Sequence, residues 1–144
     1  MTGFLLDTNI ISELIRSRPD PQVIAWIKTQ AAGELFLSSM TIGELMRGAK
    51  KLGDTPRGAR LQQWVQQDVV SQFKQRILVF DEPAAIQWGC MMGKNDASGT
   101  PLPAADVQIA AIAIVNKLTV VTRNTRDFER MLETVINPFT AAAE

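Results

Sequence analysis

Four acidic residues stand where a chain of alternating strands and helices turns: Asp7, Glu44, Asp106 and Asp127. Asp7 follows the apolar run Phe4, Leu5, Leu6 and precedes Ile10, Ile11, Leu14 and Ile15, which recur at the spacing of a helix face. It therefore occupies a strand-to-helix junction. Glu44 falls one turn into the helix after a second strand, Asp106 in the first turn of a helix opened by Pro101 and Pro103, and Asp127 one short turn beyond a fourth strand. In an open α/β sheet, groups at the carboxyl ends of neighbouring strands converge on one crevice, so the four acids can share a pocket. Carboxylates in close contact do not all stay ionised without protonation or a cation, and an all-oxygen donor set suits Mg²⁺ or Mn²⁺ rather than zinc. A hard cation held this way, with open positions, is the equipment for hydrolysing a phosphodiester.

Each acid also has a plainer reading. Asp7 or Thr8 can cap a helix, Thr41-Ile42-Gly43-Glu44 fits the capping box T-x-x-E, Asp106 suits the positive end of a helix dipole, and Asn124 with Asp127 can cap the helix that follows. Taken singly, each is better explained as a cap. The coincidence of four favours a site.

Composition narrows the chemistry further. The 144 residues, 46% apolar and 21% charged, fit one globular domain spanning 1–144 with a continuous core. There is no histidine and no tyrosine, which excludes Ser-His-Asp and Cys-His catalysis and any imidazole metal site. Cys90 is the sole cysteine, so no internal disulfide or thiolate zinc site can form, and it is expected to be a buried small hydrophobe. The longest apolar run, 109–115, is far short of the roughly 20 residues that cross a bilayer, and no basic residue precedes the apolar stretch at Phe4. A cytoplasmic protein without membrane contact is expected.

The elements that must position the acids alternate. Strands are predicted at 4–6, 35–37, 77–80, 119–122 and 135–137, and helices at 9–16, 21–30, 42–51, 59–74, 83–94, 103–116 and 125–133. Strands this apolar have no wet face. The pattern predicts a three-layer α/β/α sandwich around a central, mainly parallel sheet. Residues 53–58 and 97–103 read as loops, and the Ala-rich stretch 141–144 as frayed.

The stretches LLDTNIISEL, SSMTIGELMRG, LPAADVQIAAIAI and VVTRNTRDF, in that order along nearly the whole chain, resemble the PIN-domain ribonucleases, most closely the VapC/FitB-type toxins of bacterial toxin-antitoxin modules. The resemblance implies Asp7, Glu44 and Asp106 as the acidic, metal-holding core and Thr8 as its hydroxyl neighbour. At the fourth position, where many relatives carry an acid, this chain has Asn124, with Asp127 one turn on; either can complete the site, with one metal or two. The resemblance also implies an RNA substrate, a homodimer, and a VapB/FitA-like antitoxin whose C-terminal segment wraps the toxin and blocks its acidic pocket. DNA would then be met only through the antitoxin.

Two rivals were weighed. A haloacid-dehalogenase-like phosphatase places a second Asp two positions after its first, where this chain has Asn9. The stronger rival is a nonenzymatic PIN-like module that works mainly as the partner of an antitoxin in a DNA-binding complex.

Formal net charge is zero, which argues against strong nonspecific nucleic-acid affinity. Basic residues nevertheless cluster: Arg47, Lys50, Lys51, Arg57 and Arg60 face only Asp54, while Arg123, Arg126 and Arg130 surround Asp127. They are either solvated helix faces or phosphate contacts, with Arg47, Lys50 and Arg123 the candidates for holding RNA. Trp26, Trp64 and Trp88 fall in helical patterns and read as core or interface residues. Ile15, Leu45, Met46 and Leu52 form a candidate groove for an antitoxin helix.

Overall fold

The computed structural model describes residues 3–139; the stretch 141–144 lies outside them. Five strands, β1 (Phe4–Leu6), β2 (Leu35–Ser38), β3 (Ile77–Leu78), β4 (Thr119–Val121) and β5 (Val135–Ile136), form one sheet in the order β3-β2-β1-β4-β5. Every pairing is parallel. The chain winds outward from β1 through β2 to β3, then returns to the other side of β1 for β4 and β5. The strand order therefore reverses between β1 and β4, where an open α/β sheet leaves its crevice.

Alternation of side chains along the strands splits the core into two. Leu6, Leu35, Leu37 and Val121 face α1 (Thr8–Leu14), α2 (Pro21–Lys28) and α3 (Ser39–Lys50), together with a helical hairpin arm. That arm runs through α4 (Pro56–Gln63), a π-helical turn (Trp64–Val69) and α5 (Val70–Gln72). Leu5 and Val120 face the opposite side, where α6 (Glu82–Ser98), α7 (Ala104–Val115) and α8 (Thr125–Glu129) lie. Both faces are covered, as strands without a wet side require. α7 is the most deeply set helix: Val107, Ile109, Ala110, Ala111, Ile112 and Ala113 are all buried.

The structure trims or shifts several expected elements. α6 runs on to Ser98 and stops at Gly99, whose φ of 73° a side chain would resist, before Pro101 and Pro103. α4 already begins at Pro56, capped by the Thr55 hydroxyl on Gly58 N–H. The helix carrying Glu44 starts three residues before the expected 42. Its cap is Ser38, whose Oγ accepts from Thr41 N–H at 3.1 Å. Thr41 and Glu44 therefore form no capping box. Cys90 is exposed, contrary to expectation, on a helix whose apolar residues are not confined to one stripe. The tryptophans do behave as packing residues: Trp26 meets Phe4 edge-on at 5.1 Å, Trp88 meets Phe80 at 6.3 Å, and Trp64 packs on the core. Among the described residues no helix is long and apolar enough to cross a membrane.

Because Ser38 supplies the cap, Ser38→Ala is expected to cost about 1 kcal/mol of stability in urea unfolding, whereas an exposed serine such as Ser71 should tolerate the same change with almost no loss.

Candidate active site

β1 ends at Leu6, and the next backbone amide, that of Asp7, donates to Val121 O of β4 at 2.9 Å. This bond extends the β1–β4 pairing by one residue and fixes where the Asp7 side chain leaves the sheet. Asp7 is 6% exposed. Its Oδ1 accepts from Thr8 N–H at 2.8 Å, so it does cap α1, and its Oδ2 accepts from the Thr122 hydroxyl at 2.8 Å and the Asn9 amide at 3.4 Å. Burial raises the Asp7 pKa against the lowering effect of the Thr122 and Thr8 bonds, and the charge of Glu44 adds to the rise.

A second cluster of hydroxyls orients Glu44. Its Oε1 accepts from the Thr8 hydroxyl at 2.5 Å, and Thr8 Oγ1 also lies 3.3 Å from Thr41 Oγ1. Because α3 begins at Ser39, Glu44 sits beyond the first turn, and its carboxylate is directed across to α1 rather than back to the helix end. Thr8 thus links the first and second acids. Asp106 occupies the first turn of α7 without capping it, and the helix has no side-chain cap of its own. Its pKa is pushed up to about 6, first by burial and then by the charges of Asp7, Asp127 and Glu44.

Asp7, Glu44 and Asp106 line one cleft of about 460 Å³, together with Thr8, Asn124 and Arg123. Asp127 lies outside that lining; the Asn124 amide donates to its Oδ2 at 2.8 Å, and its influence reaches the cleft through charge. Asn124 therefore does not cap α8, since its side chain is used as a donor toward Asp127. The junction after β4 is tied to α1 through Asn9, whose Oδ1 accepts from Arg123 N–H at 3.0 Å, while Thr122 Oγ1 accepts from Asn124 N–H at 2.9 Å. Arg123 stacks over Phe139 at 4.6 Å.

The other two candidate RNA contacts are placed elsewhere. Arg47 and Lys50 are exposed on α3 and do not line the cleft; Lys50 borders a separate hollow near Asp54 and Pro56. The lining instead includes Ser12, Glu13 and Arg16 from α1 and its end, which the sequence reading passed over. Their signal was available: Asn9, Ser12, Glu13 and Arg16 recur at helix spacing, on a face distinct from Ile10, Ile11 and Leu14.

The donor set fits a hard divalent cation, since the cleft offers carboxylate, hydroxyl and amide oxygen and no imidazole or thiolate. Among the described residues, no three acids stand close enough together to form a ready-made cage. Asp7, Glu44 and Asp106 are the residues that would hold the ion.

A PIN-domain family model matches residues 4–132. The chain belongs to the PIN-domain family. Over 138 residues it is 36% identical to a VapC ribonuclease of Sinorhizobium fredii, across 96% of this chain and 99% of that one. It is also 36% identical to toxin FitB of Neisseria gonorrhoeae, across 94% and 97% of the two chains. The crystal structure of FitAcB from the same organism superposes with a TM-score of 0.86 at 36% identity, covering 94% of this chain and 98% of that one.

The electrostatics give a pH signature. The folded chain holds the Asp106 proton up to about pH 6, whereas the unfolded chain releases it near 3.8. Protons therefore favour the folded state, and the stability they contribute is lost as pH rises through that interval. In EDTA, thermal melts of wild type are expected to fall across this range more steeply than those of Asp106→Asn. Above the interval the variant should be the more stable protein, by something on the order of 1 kcal/mol. Parallel melting curves against pH would show that neither burial nor neighbouring charge raises the Asp106 pKa.

Proposed function

We propose that the protein is a divalent-cation-dependent endoribonuclease, using Mg²⁺ or Mn²⁺, and the toxin of a toxin-antitoxin module. The observation that carries this reading is the convergence of Asp7, Glu44 and Asp106 on one cleft at the switch point of the sheet. Membership of the PIN-domain family and the likeness to a named VapC ribonuclease support nuclease chemistry, and the likeness to toxin FitB supports the toxin role. Family membership is the ground for expecting a homodimer, and among the described residues no helix is long and apolar enough to cross a membrane.

A bound cation supplies a strong nucleophile from water near neutral pH and offsets charge on the phosphoryl and leaving oxygens. The chain's own residues set the geometry. Asp7 is immobilised by Thr122 and by the α1 amide, which gives the site one fixed ligand. Thr8 holds Glu44 toward it, and Asn124 keeps Asp127 close enough to Asp106 to be felt there. Arg123, beside the acids and stacked on Phe139, is placed to receive a phosphate of the substrate. The net reaction adds water across one P–O bond of RNA.

For the partner, a second groove of about 290 Å³ adjoins the cleft, lined by Ile15 and Leu45 as expected and by Leu61 and Trp64 in place of Met46 and Leu52. It shares Ser12, Arg16 and Glu44 with the acidic cleft. An amphipathic antitoxin helix fits this apolar trough, and an extended tail leaving it would bring a basic side chain to the carboxylates. Any contact with DNA runs through the antitoxin, in keeping with the zero net charge.

On purified, antitoxin-free protein, single-stranded RNA should be cut only with Mg²⁺ or Mn²⁺. Asp7→Asn, Glu44→Gln and Asp106→Asn should each slow cleavage by about 10²-fold or more, and Asp127→Asn by less. Wild type that leaves RNA intact with either ion, or an Asp106→Asn protein at full rate, would instead favour a nonenzymatic binding module. Inhibition by the antitoxin should be relieved by excess metal and lost on deletion of the antitoxin tail; a block that survives that deletion at saturating antitoxin lies elsewhere.

A further inference from the structure

Glu13 is an acid of the cleft wall whose arrangement differs from that of the other three. Only 7% of its side chain is exposed, and both carboxylate oxygens are engaged. Oε2 accepts from Asp20 N–H at 2.7 Å, and Oε1 accepts from Arg16 Nη1 at 3.3 Å. One oxygen thus pins the turn that leads into α2, and the other holds a guanidinium. Arg16 itself is 63% exposed. A single end-on contact through Nη1 leaves most of its five N–H donors free.

The place of that guanidinium gives it a use. Arg16 and Arg123 are the cations in the lining of the acidic cleft, one from the end of α1 and the other from the junction after β4. A polyanion entering a cleft floored by Asp7, Glu44 and Asp106 meets repulsion unless cations stand at the rim. An arginine held in place before substrate arrives gives up less side-chain entropy on binding than a free one, and its planar fork suits two phosphate oxygens. The Asp20 amide holds the Glu13 carboxylate beside Arg16, so that its charge is paired before RNA arrives.

We propose that Arg16 binds a backbone phosphate of the RNA at the cleft rim, and that Glu13 is a positioning residue that acts through Arg16. This rests on the nuclease reading for the nature of the ligand, and on the Glu13–Arg16–cleft geometry for the assignment. Glu13 is thereby set apart from the metal-holding acids.

The test measures binding of a fluorescein-labelled, mixed-sequence single-stranded oligoribonucleotide by anisotropy, with the full chain carrying Asp106→Asn so that the probe stays intact. Adding Arg16→Ala should weaken binding about tenfold at low salt and reduce the slope of log K against log salt by about one, the signature of one lost phosphate contact. Arg16→Lys should keep the slope and recover part of the affinity. Glu13→Gln should weaken binding about threefold when Arg16 is present and have no effect in the Arg16→Ala background, since coupled residues are not additive. In the otherwise wild-type enzyme, Arg16→Ala should raise KM by a similar factor and leave kcat within about twofold.

Unchanged affinity and salt slope in Arg16→Ala, or a probe bound by none of the variants, would overturn the proposal. A Glu13→Gln effect of equal size in both backgrounds would reduce Glu13 to a support for the turn at Asp20 and overturn its positioning role. Failure of the nuclease reading looks different: wild type would cut no RNA with Mg²⁺ or Mn²⁺, while the anisotropy comparison would still decide the role of Arg16.

Discussion

Asp7 is a carboxylate buried where two parallel strands end side by side, and hydrogen-bond donors hold it there. Its backbone amide belongs to the β1–β4 pairing, one oxygen takes the first amide of α1, and the other takes the Thr122 hydroxyl. A buried charge without a countercharge is tolerated only when its oxygens are satisfied in this way. The bonds come from segments more than a hundred residues apart in sequence, as the Asp7–Thr122 separation of 115 shows. The sheet edge, the start of α1 and the loop after β4 are therefore locked to one another through a single side chain.

The remaining acids are arranged around that fixed point with graded freedom. Glu44 is tethered by one hydroxyl, whereas Asp106 feels the charges of Asp7, Asp127 and Glu44, with burial the largest contribution to its raised pKa. Fixing every acid would leave like charges locked against each other, and freeing every acid would lose the geometry. One firmly held acid beside two less constrained ones lets the cleft relieve like-charge repulsion by taking up a proton at Asp106.

Much of this was legible in the sequence because it rests on local pattern. Apolar runs too short for helices marked all five strands, and the acids were visible because Asp7, Glu44 and Asp127 follow three of them and Asp106 opens a helix behind Pro101 and Pro103. What local pattern did not contain was which of two hydroxyl residues three positions apart would cap α3. Both Ser38 and Thr41 qualify by type; the choice went to Ser38 because β2 ends there, a matter of sheet pairing with β1 and β3. The placement of the basic residues was hidden for a related reason, although Arg123 does line the cleft. Arg47 and Lys50 are near Glu44 in sequence, but their side chains lie off the cleft, whereas Arg16 reaches it from a different helix. Cys90 escaped because α6 has no clean apolar stripe from which a buried side could be read.

The position of β1 in the middle of the sheet has a consequence in time. It is made before both of its neighbours, and one of them, β4, follows only after about 110 further residues, with Thr122 later still. Until then Asp7 has no Thr122 hydroxyl and no Val121 carbonyl for its amide, and Asp106 has only just been added to the chain. A partly synthesised copy thus carries the first acids without the framework that gathers them. The topology ties assembly of the acidic cleft to completion of β4 rather than to synthesis of the first acids.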